Sequence, residues 1–194
     1  MEKSNNFVWF GILTFLSGLF QIVGWIVSAI FQREFDSSGY FFGSLIDQLG
    51  TIFFIFTLFA IFWYHATSEG WFNKACLFIG IVGTTFLIGN NWVGTWVVPY
   101  IHEKAPKLLE TDPGYPLSIG MNLSYLLFAL ALILIAILII KAKKLPILVA
   151  IGFILAPILD ILPIGMPIGE LIFSLSLIYL SIKFCKEAQT QSNS

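Results

Sequence analysis

The chain has 194 residues, of which 58% are hydrophobic and 11% are charged, and its net charge is −1. A soluble domain has about 25% charged residues, so this chain has too few of them to cover a water-facing surface. The composition therefore excludes a soluble enzyme, a disordered chain and a nucleic-acid-binding protein, which would need a basic surface. Two cysteines are too few for a disulfide framework. A mean hydropathy of +0.90 instead predicts a protein embedded in a lipid bilayer.

Six stretches have the length and apolarity of a membrane-spanning helix, which needs about 20 residues. In chain order, we expect spans at about 7–31, 45–64, 75–98, 117–140, 145–162 and 168–184. The first has no small-residue cleavage pattern, so we expect it to be retained. The last two are short and are expected to stand with little tilt or in a locally thinned bilayer. The sequence thus predicts an all-α bundle of six transmembrane helices over residues 1–186, followed by a flexible polar tail over 187–194.

Basic residues are divided unequally between the two sides of the predicted membrane. Seven lysines fall on the side of the two chain termini, and three basic residues fall on the other side. Because Lys and Arg favour the cytoplasm, both termini are expected to be cytoplasmic in a cell membrane of the bacterial inner or plasma type. The seven are Lys3, Lys74, Lys141, Lys143, Lys144, Lys183 and Lys186, and the three are Arg33, Lys104 and Lys107.

Small and polar residues recur at helical spacing on the first, third, fourth and sixth spans. Such stripes mark buried faces, so we expect these four helices to pack together. Gln21 lies near mid-membrane, whereas Asn90, Asn91 and Asn122 fall in the outer halves of their spans. Buried amides need partners, and their bias toward the outside favours a hydrated pocket that opens outward between the helices. The alternative is that the stripes are packing seams only.

Asp160 and Glu170 flank a tight, proline-rich turn between the fifth and sixth spans. Three interpretations remain open. Both carboxylates reach the outer headgroups and water, or they face the bundle interior and bind a cation, or they act as an acid–base or metal-binding pair with His102 and Glu103.

No catalytic motif supports the third interpretation. The chain has no His-Glu-x-x-His, Gly-x-Ser-x-Gly or Cys-x-x-Cys pattern, and its two histidines fall on opposite sides of the membrane. We therefore expect neither an enzyme nor a cofactor or metal site.

The hypothesis that fits these patterns best is a binding or accessory subunit. Its outward-open pocket for a small ligand would be lined by Asp160, Glu170, Asn90, Asn91 and Asn122. One alternative is an ion- or proton-coupled transporter that uses Asp160 or Glu170, although the inner halves of several spans are almost purely apolar. Others are a membrane enzyme that uses the carboxylate pair, and a role in protein interaction alone. The expected partners are the lipid bilayer and a small ligand or a membrane partner subunit, and not nucleic acid.

Overall fold

The computed structural model describes residues 2–31, 37–65, 70–111, 114–162 and 166–192. Over these ranges the chain is helical and contains no strand, which confirms the all-α class. A short 3₁₀ helix, Pro106–Glu110, follows the third helix. The six helices are α1 (Glu2–Ile30), α2 (Ser38–His65), α3 (Gly70–Lys104), α4 (Leu117–Ala142), α5 (Ile147–Asp160) and α6 (Met166–Ser192).

Five of these helices, all except α5, are long and apolar enough to cross a membrane. Helix α5 has 14 residues instead of the 18 predicted at 145–162, which corresponds to about 21 Å against an apolar layer of about 30 Å. Pro146 explains the late start, because it has an extended backbone (ψ 132°) and caps the helix. The predicted six spans are thus matched by six helices, of which five have spanning length.

The other helices extend beyond the predicted spans. Helix α2 begins at Ser38, α3 runs from Gly70 to Lys104, and α6 continues to Ser192. Hydropathy marks only the apolar part of a helix, and polar residues can continue its hydrogen bonding outside that part. Most of the predicted flexible tail therefore lies on α6, where Ala188 is buried.

The helices form a closed ring, in which each packs against its neighbours in the chain and α1 packs against α6. The predicted contacts between the first and sixth spans and between the third and fourth are confirmed. The predicted group of four packed helices was wrong because it left out α2, which has the most extensive interface with α1. The stripe on α1 serves two neighbours, because Gly18 faces α6 and Gly24 faces α2. A Cβ added at Gly18 would lie 2.6 Å from Ser174 O, and one at Gly24 would lie 2.7 Å from Asp47 Cα.

Both chain termini belong to the same end of the ring. The Phe7 ring lies 6.0 Å from the Tyr64 ring and 6.4 Å from the Phe184 ring. The Tyr64 hydroxyl donates a hydrogen bond of 3.4 Å to Lys144 O in the turn between α4 and α5. We call this the terminal end and the opposite end the distal end.

Four phenylalanines from α2, α4, α5 and α6 meet in the middle of the bundle. Phe54 lies 5.3 Å from Phe173 and 5.7 Å from Phe128, and Phe153 lies 5.6 Å from Phe173, measured between ring centroids. Most of these pairs are edge-to-face, the geometry that aromatic rings favour. We call these four residues the phenylalanine cluster. It separates the distal end from the terminal end along the ring axis.

Candidate functional site

The first part of the candidate site joins α2 to α3 near the distal end. Asn91 Nδ2 donates hydrogen bonds to Asp47 Oδ2 at 3.3 Å and to Thr51 Oγ1 at 3.2 Å. Asp47 and Thr51 are four residues apart, so they share a face of α2. The sequence patterns did not identify Asp47 as a candidate site residue. The signal in the sequence was the four-residue spacing of Asp47 and Thr51. This spacing places two polar side chains on one face of α2, where the Asn91 amide of α3 can find partners.

Helix α3 changes geometry immediately beyond Asn91. Residues Val93–Val97 form a π-helical turn, and the Thr95 hydroxyl donates a hydrogen bond of 2.8 Å to Asn91 O. Single π turns inside α-helices occur frequently at functional sites. The spacing of apolar residues in the sequence did not predict this π turn.

The other two predicted asparagines have different surroundings. Asn90 Nδ2 donates a hydrogen bond of 3.0 Å to the Tyr125 hydroxyl and thereby joins α3 to α4. Asn122 lies exposed on α4, one turn from Tyr125 toward the distal end. In the described part of the chain, no hydrogen bond connects Asn122 to the other predicted site residues.

The two predicted carboxylates meet where α5 ends and α6 begins. Asp160 is the last residue of α5, and its side chain lies against Gly169 on α6. A Cβ at Gly169 would come within 3.0 Å of Asp160 Cγ and 2.8 Å of Ala156 O, so only glycine fits this approach. Glu170 is the next residue on α6.

Electrostatics connect these carboxylates to α2 and α4. Glu170 is close enough to Asp47 and Asp160 to interact with both. The Tyr125 phenol interacts with Glu170, Asp47 and Asp160. Polar groups from α2, α4, α5 and α6 therefore converge at one level, and Asn90 and Asn91 connect α3 to them. We call Asp47, Asn90, Asn91, Tyr125, Asp160 and Glu170 the distal cluster.

The shortness of α5 places the distal cluster below the distal ends of the neighbouring helices. Helix α2 continues nine residues beyond Asp47 to Ser38, and α3 continues 13 residues beyond Asn91 to Lys104. At 1.5 Å per residue, these extensions are about 13 Å and 20 Å long. Helix α5, in contrast, ends at Asp160 itself. The cluster thus lies below the distal ends of α2 and α3, and we call the region that these two longer helices flank, with the cluster as its floor, the distal recess.

The carboxylates of the recess have no basic partner among the residues that the structure describes. The ion pairs in these ranges are Lys104 with Glu103 and Lys183 with Glu187. Arg33, which follows α1 at the distal end, lies outside the described residues.

Within the described ranges, no group of three or more His, Cys, Asp or Glu is placed to hold a metal ion. His102 and Glu103 lie about three turns beyond Asn91 on α3, at the level of the recess wall. The predicted combination of these two residues with Asp160 and Glu170 is therefore not brought together on the floor.

A buried hydroxyl lies directly below the floor. Ser174 follows Glu170 by four residues on α6 and is fully buried. Its hydroxyl has no hydrogen-bond partner among the described residues. Ser174 and Glu170 are four residues apart and therefore lie on the same face of α6, and the Ser174 carbonyl lies against Gly18 of α1. An unpaired buried hydroxyl costs free energy, and a polar group that entered below Glu170 would remove that cost.

No protein-family model, characterised protein or solved structure matches this chain. Its function is therefore inferred from the site itself.

Proposed function

We propose that this chain is a cell-membrane protein that binds a small ligand in the distal recess, either alone or as a subunit of a larger membrane assembly. The observation that carries this proposal is the pair of hydrogen bonds from Asn91 to Asp47 and from Asn90 to Tyr125, which join α2, α3 and α4. Near the same end of the bundle, the Asp160 side chain lies against Gly169, next to Glu170, where α5 ends and α6 begins. Convergent polar groups on the floor of a concave site are typical of ligand pockets.

The chemistry of the floor favours a cationic ligand. Ionised carboxylates are hydrogen-bond acceptors only, whereas a protonated primary amine offers three donors. The Tyr125 ring adds a π face that attracts cations. A small organic amine would supply the positive charge that the described part of the chain does not place beside these acids.

The proposal includes a topology of six crossings with both termini in the cytoplasm. The unequal distribution of lysines supports this orientation. Helix α5 runs from the terminal end to the distal cluster, and with its flanking residues it would cross a locally thinned layer. The distal recess would then open to the outside of the cell.

The alternatives have less support. A transporter needs a polar route to the terminal end, whereas the phenylalanine cluster fills the bundle directly below the recess. An enzyme that uses the carboxylate pair with His102 would need His102 beside the floor of the recess. His102 instead lies about three turns beyond Asn91 on α3.

Thermal unfolding of the purified protein in detergent, with and without small amines, tests this proposal. We would add putrescine or choline, with glutamate as an anionic comparison. A ligand that binds only the folded state adds about 2.7 kcal/mol at 100 times its Kd. We therefore expect an amine to raise the Tm, and Glu170→Gln and Asp47→Asn to remove the shift.

Glu110→Gln is the matched control, because Glu110 is an exposed carboxylate at the distal end outside the cluster. This variant should keep the full shift. The proposal of an amine site fails if no amine raises the Tm of the wild type, or if Glu110→Gln removes the shift as completely as Glu170→Gln does.

A further inference from the structure

The turn between α4 and α5 at the terminal end contains three exposed lysines, and one of them has an unusual backbone. Lys143 has φ 55° and ψ 21°, the left-handed conformation, and its N–H donates a hydrogen bond of 3.1 Å to Ile139 O. Glycine is the usual residue in this conformation at a helix end, because a Cβ is disfavoured there. The backbone conformation therefore does not favour a lysine at position 143.

The rest of the structure holds this turn in position. Lys141 Nζ lies 5.0 Å from the centroid of the Phe72 ring on α3. On the other side, Lys144 O accepts the hydrogen bond from Tyr64 on α2. The backbone is thus fixed between two helices, while the lysine side chains are exposed.

Glu187 is a carboxylate at this end whose side chain the structure describes, whereas Glu2 and Glu69 lie outside the described side chains. Glu187 is paired with Lys183 at 3.2 Å. Within the described ranges, neither Lys141 nor Lys143 forms an ion pair.

Exposed apolar side chains continue on both sides of the turn. Ile140 precedes it, and Ile147 and Leu148 follow it, with 41%, 59% and 63% of their surfaces exposed. Trp71, which is 78% exposed, lies at the same end, next to Phe72. Tryptophan favours the boundary between lipid and water. The lysines therefore lie where a lipid-facing apolar surface ends, at the level of the phospholipid phosphates.

We propose that Lys141, Lys143 and Lys144 bind the headgroup of an anionic phospholipid, whose acyl chains cover Ile147 and Leu148. Charge complementarity supplies the attraction at the headgroup, as it does for basic clusters beside membrane-spanning helices. The neighbouring apolar surface favours a lipid over a free phosphate. This site is at the opposite end of the bundle from the distal recess, so it is independent of the proposed function.

The test compares the purified protein in bilayers of phosphatidylcholine with the same protein in an equimolar mixture of phosphatidylcholine and phosphatidylglycerol. We expect the anionic lipid to raise the Tm and to remain bound to the protein in native mass spectrometry. The double variant Lys141→Gln/Lys143→Gln should lose most of both effects. The matched control, Lys104→Gln/Lys107→Gln at the distal end, should keep them.

A second variant separates lipid binding from folding. Lys143→Gly relieves the left-handed backbone, so its Tm in phosphatidylcholine should be higher than that of the wild type. Its response to phosphatidylglycerol should nevertheless be smaller. Three results would overturn the proposal: an undiminished response in both lysine variants, an equal loss in the distal control, or an equal shift caused by inorganic phosphate.

Discussion

Two regions of the bundle use glycine in opposite ways. Where α1 meets α2 and α6, glycines are in tight contact: a Cβ at Gly50 would lie 2.7 Å from Gln21 N, and one at Gly18 would lie 2.6 Å from Ser174 O. In the distal halves of α3 and α4, Gly89 and Gly120 have no atom within 4 Å of such a Cβ. Small residues in the first region allow backbones to approach, as membrane helices require. In the second region, both glycines lie on exposed parts of their helices.

Several polar groups between α1 and α2 are paired within their seam. Ser17 Oγ donates a hydrogen bond of 2.8 Å to Gly50 O, and Gln21 Nε2 donates one of 3.2 Å to Ser17 Oγ. Thr57 Oγ1 donates to Thr14 Oγ1 at 3.2 Å. The contrast teaches that polar residues in this protein have two functions. Those between α1 and α2 pair within one seam, whereas those of the distal cluster connect α3 to α2 and α4 at the proposed ligand site.

The largest expected effect on stability comes from a change in the phenylalanine cluster. Phe54 is fully buried in the phenylalanine cluster, and Phe54→Ala should reduce the free energy of unfolding by about 3–5 kcal/mol because it leaves a cavity. Phe56→Ala is the matched control, because Phe56 is 41% exposed on the same helix and should change the stability much less. Reversible unfolding in mixed micelles measures both. Equal losses would mean that the cluster does not hold the bundle together.

A smaller effect is expected from filling the tight seam. Gly50→Ala places a Cβ against the Gln21 backbone, and this overpacking should cost about 1–3 kcal/mol. The same change at Gly120 meets open space, so Gly120→Ala should cost nothing there. Comparison of the two variants by thermal unfolding directly tests the contrast between the regions. A tolerated Gly50→Ala together with a damaging Gly120→Ala would reverse it.

Removal of one amide from the recess should have a modest effect on stability. Asn91→Ala removes the hydrogen bonds to Asp47 and Thr51, at a cost of about 1 kcal/mol for each bond, and it should also weaken amine binding. Asn122→Ala is the control, since Asn122 is exposed and should affect stability little. Unfolding and amine titration of both variants measure these differences. Asn91 would lose its place in the site if the two variants bind amines equally well.

The smallest effect is expected at Gly89. A Cβ there meets nothing within 4 Å, and alanine favours a helix over glycine by about 1 kcal/mol. Gly89→Ala should therefore raise the Tm slightly. A fall in Tm would show that the surface around Gly89 is covered in the folded protein, and the region would then not be open.

The amino-acid sequence was sufficient to predict the helical class and the five long helices, because hydropathy and length are properties of one segment at a time. It also indicated that the amides of Asn90 and Asn91 need polar partners, since each lies within an apolar span, and both donate hydrogen bonds to neighbouring helices. Asp47 was missed because a single carboxylate near the start of a span resembles an interfacial anchor. Its place in the site depends on Gly24 of α1 and Asn91 of α3, which are distant in the chain.

Other features depend on several helices at once. The stripes of small and polar residues did not predict the order of the helices in the ring, because the stripe on α1 contacts both α2 and α6. The recess arises because α5 is shorter than α2 and α3. Hydropathy did not predict this short length, because the apolar stretch in the sequence continues beyond both ends of α5.

The π turn in α3 has a consequence for insertion and deletion. A π turn accommodates one residue more than an α-helical turn of the same height. Deletion of one residue within Val93–Val97 would therefore restore a continuous α-helix and leave the segment Val98–Lys104 facing nearly the same direction relative to Asn91, because the π turn already absorbs the extra residue. The hydrogen bonds of Asn91 to α2 precede this point and would be retained. The upper wall can thus lose one residue at this point without a change in the direction that it faces or in the floor below it.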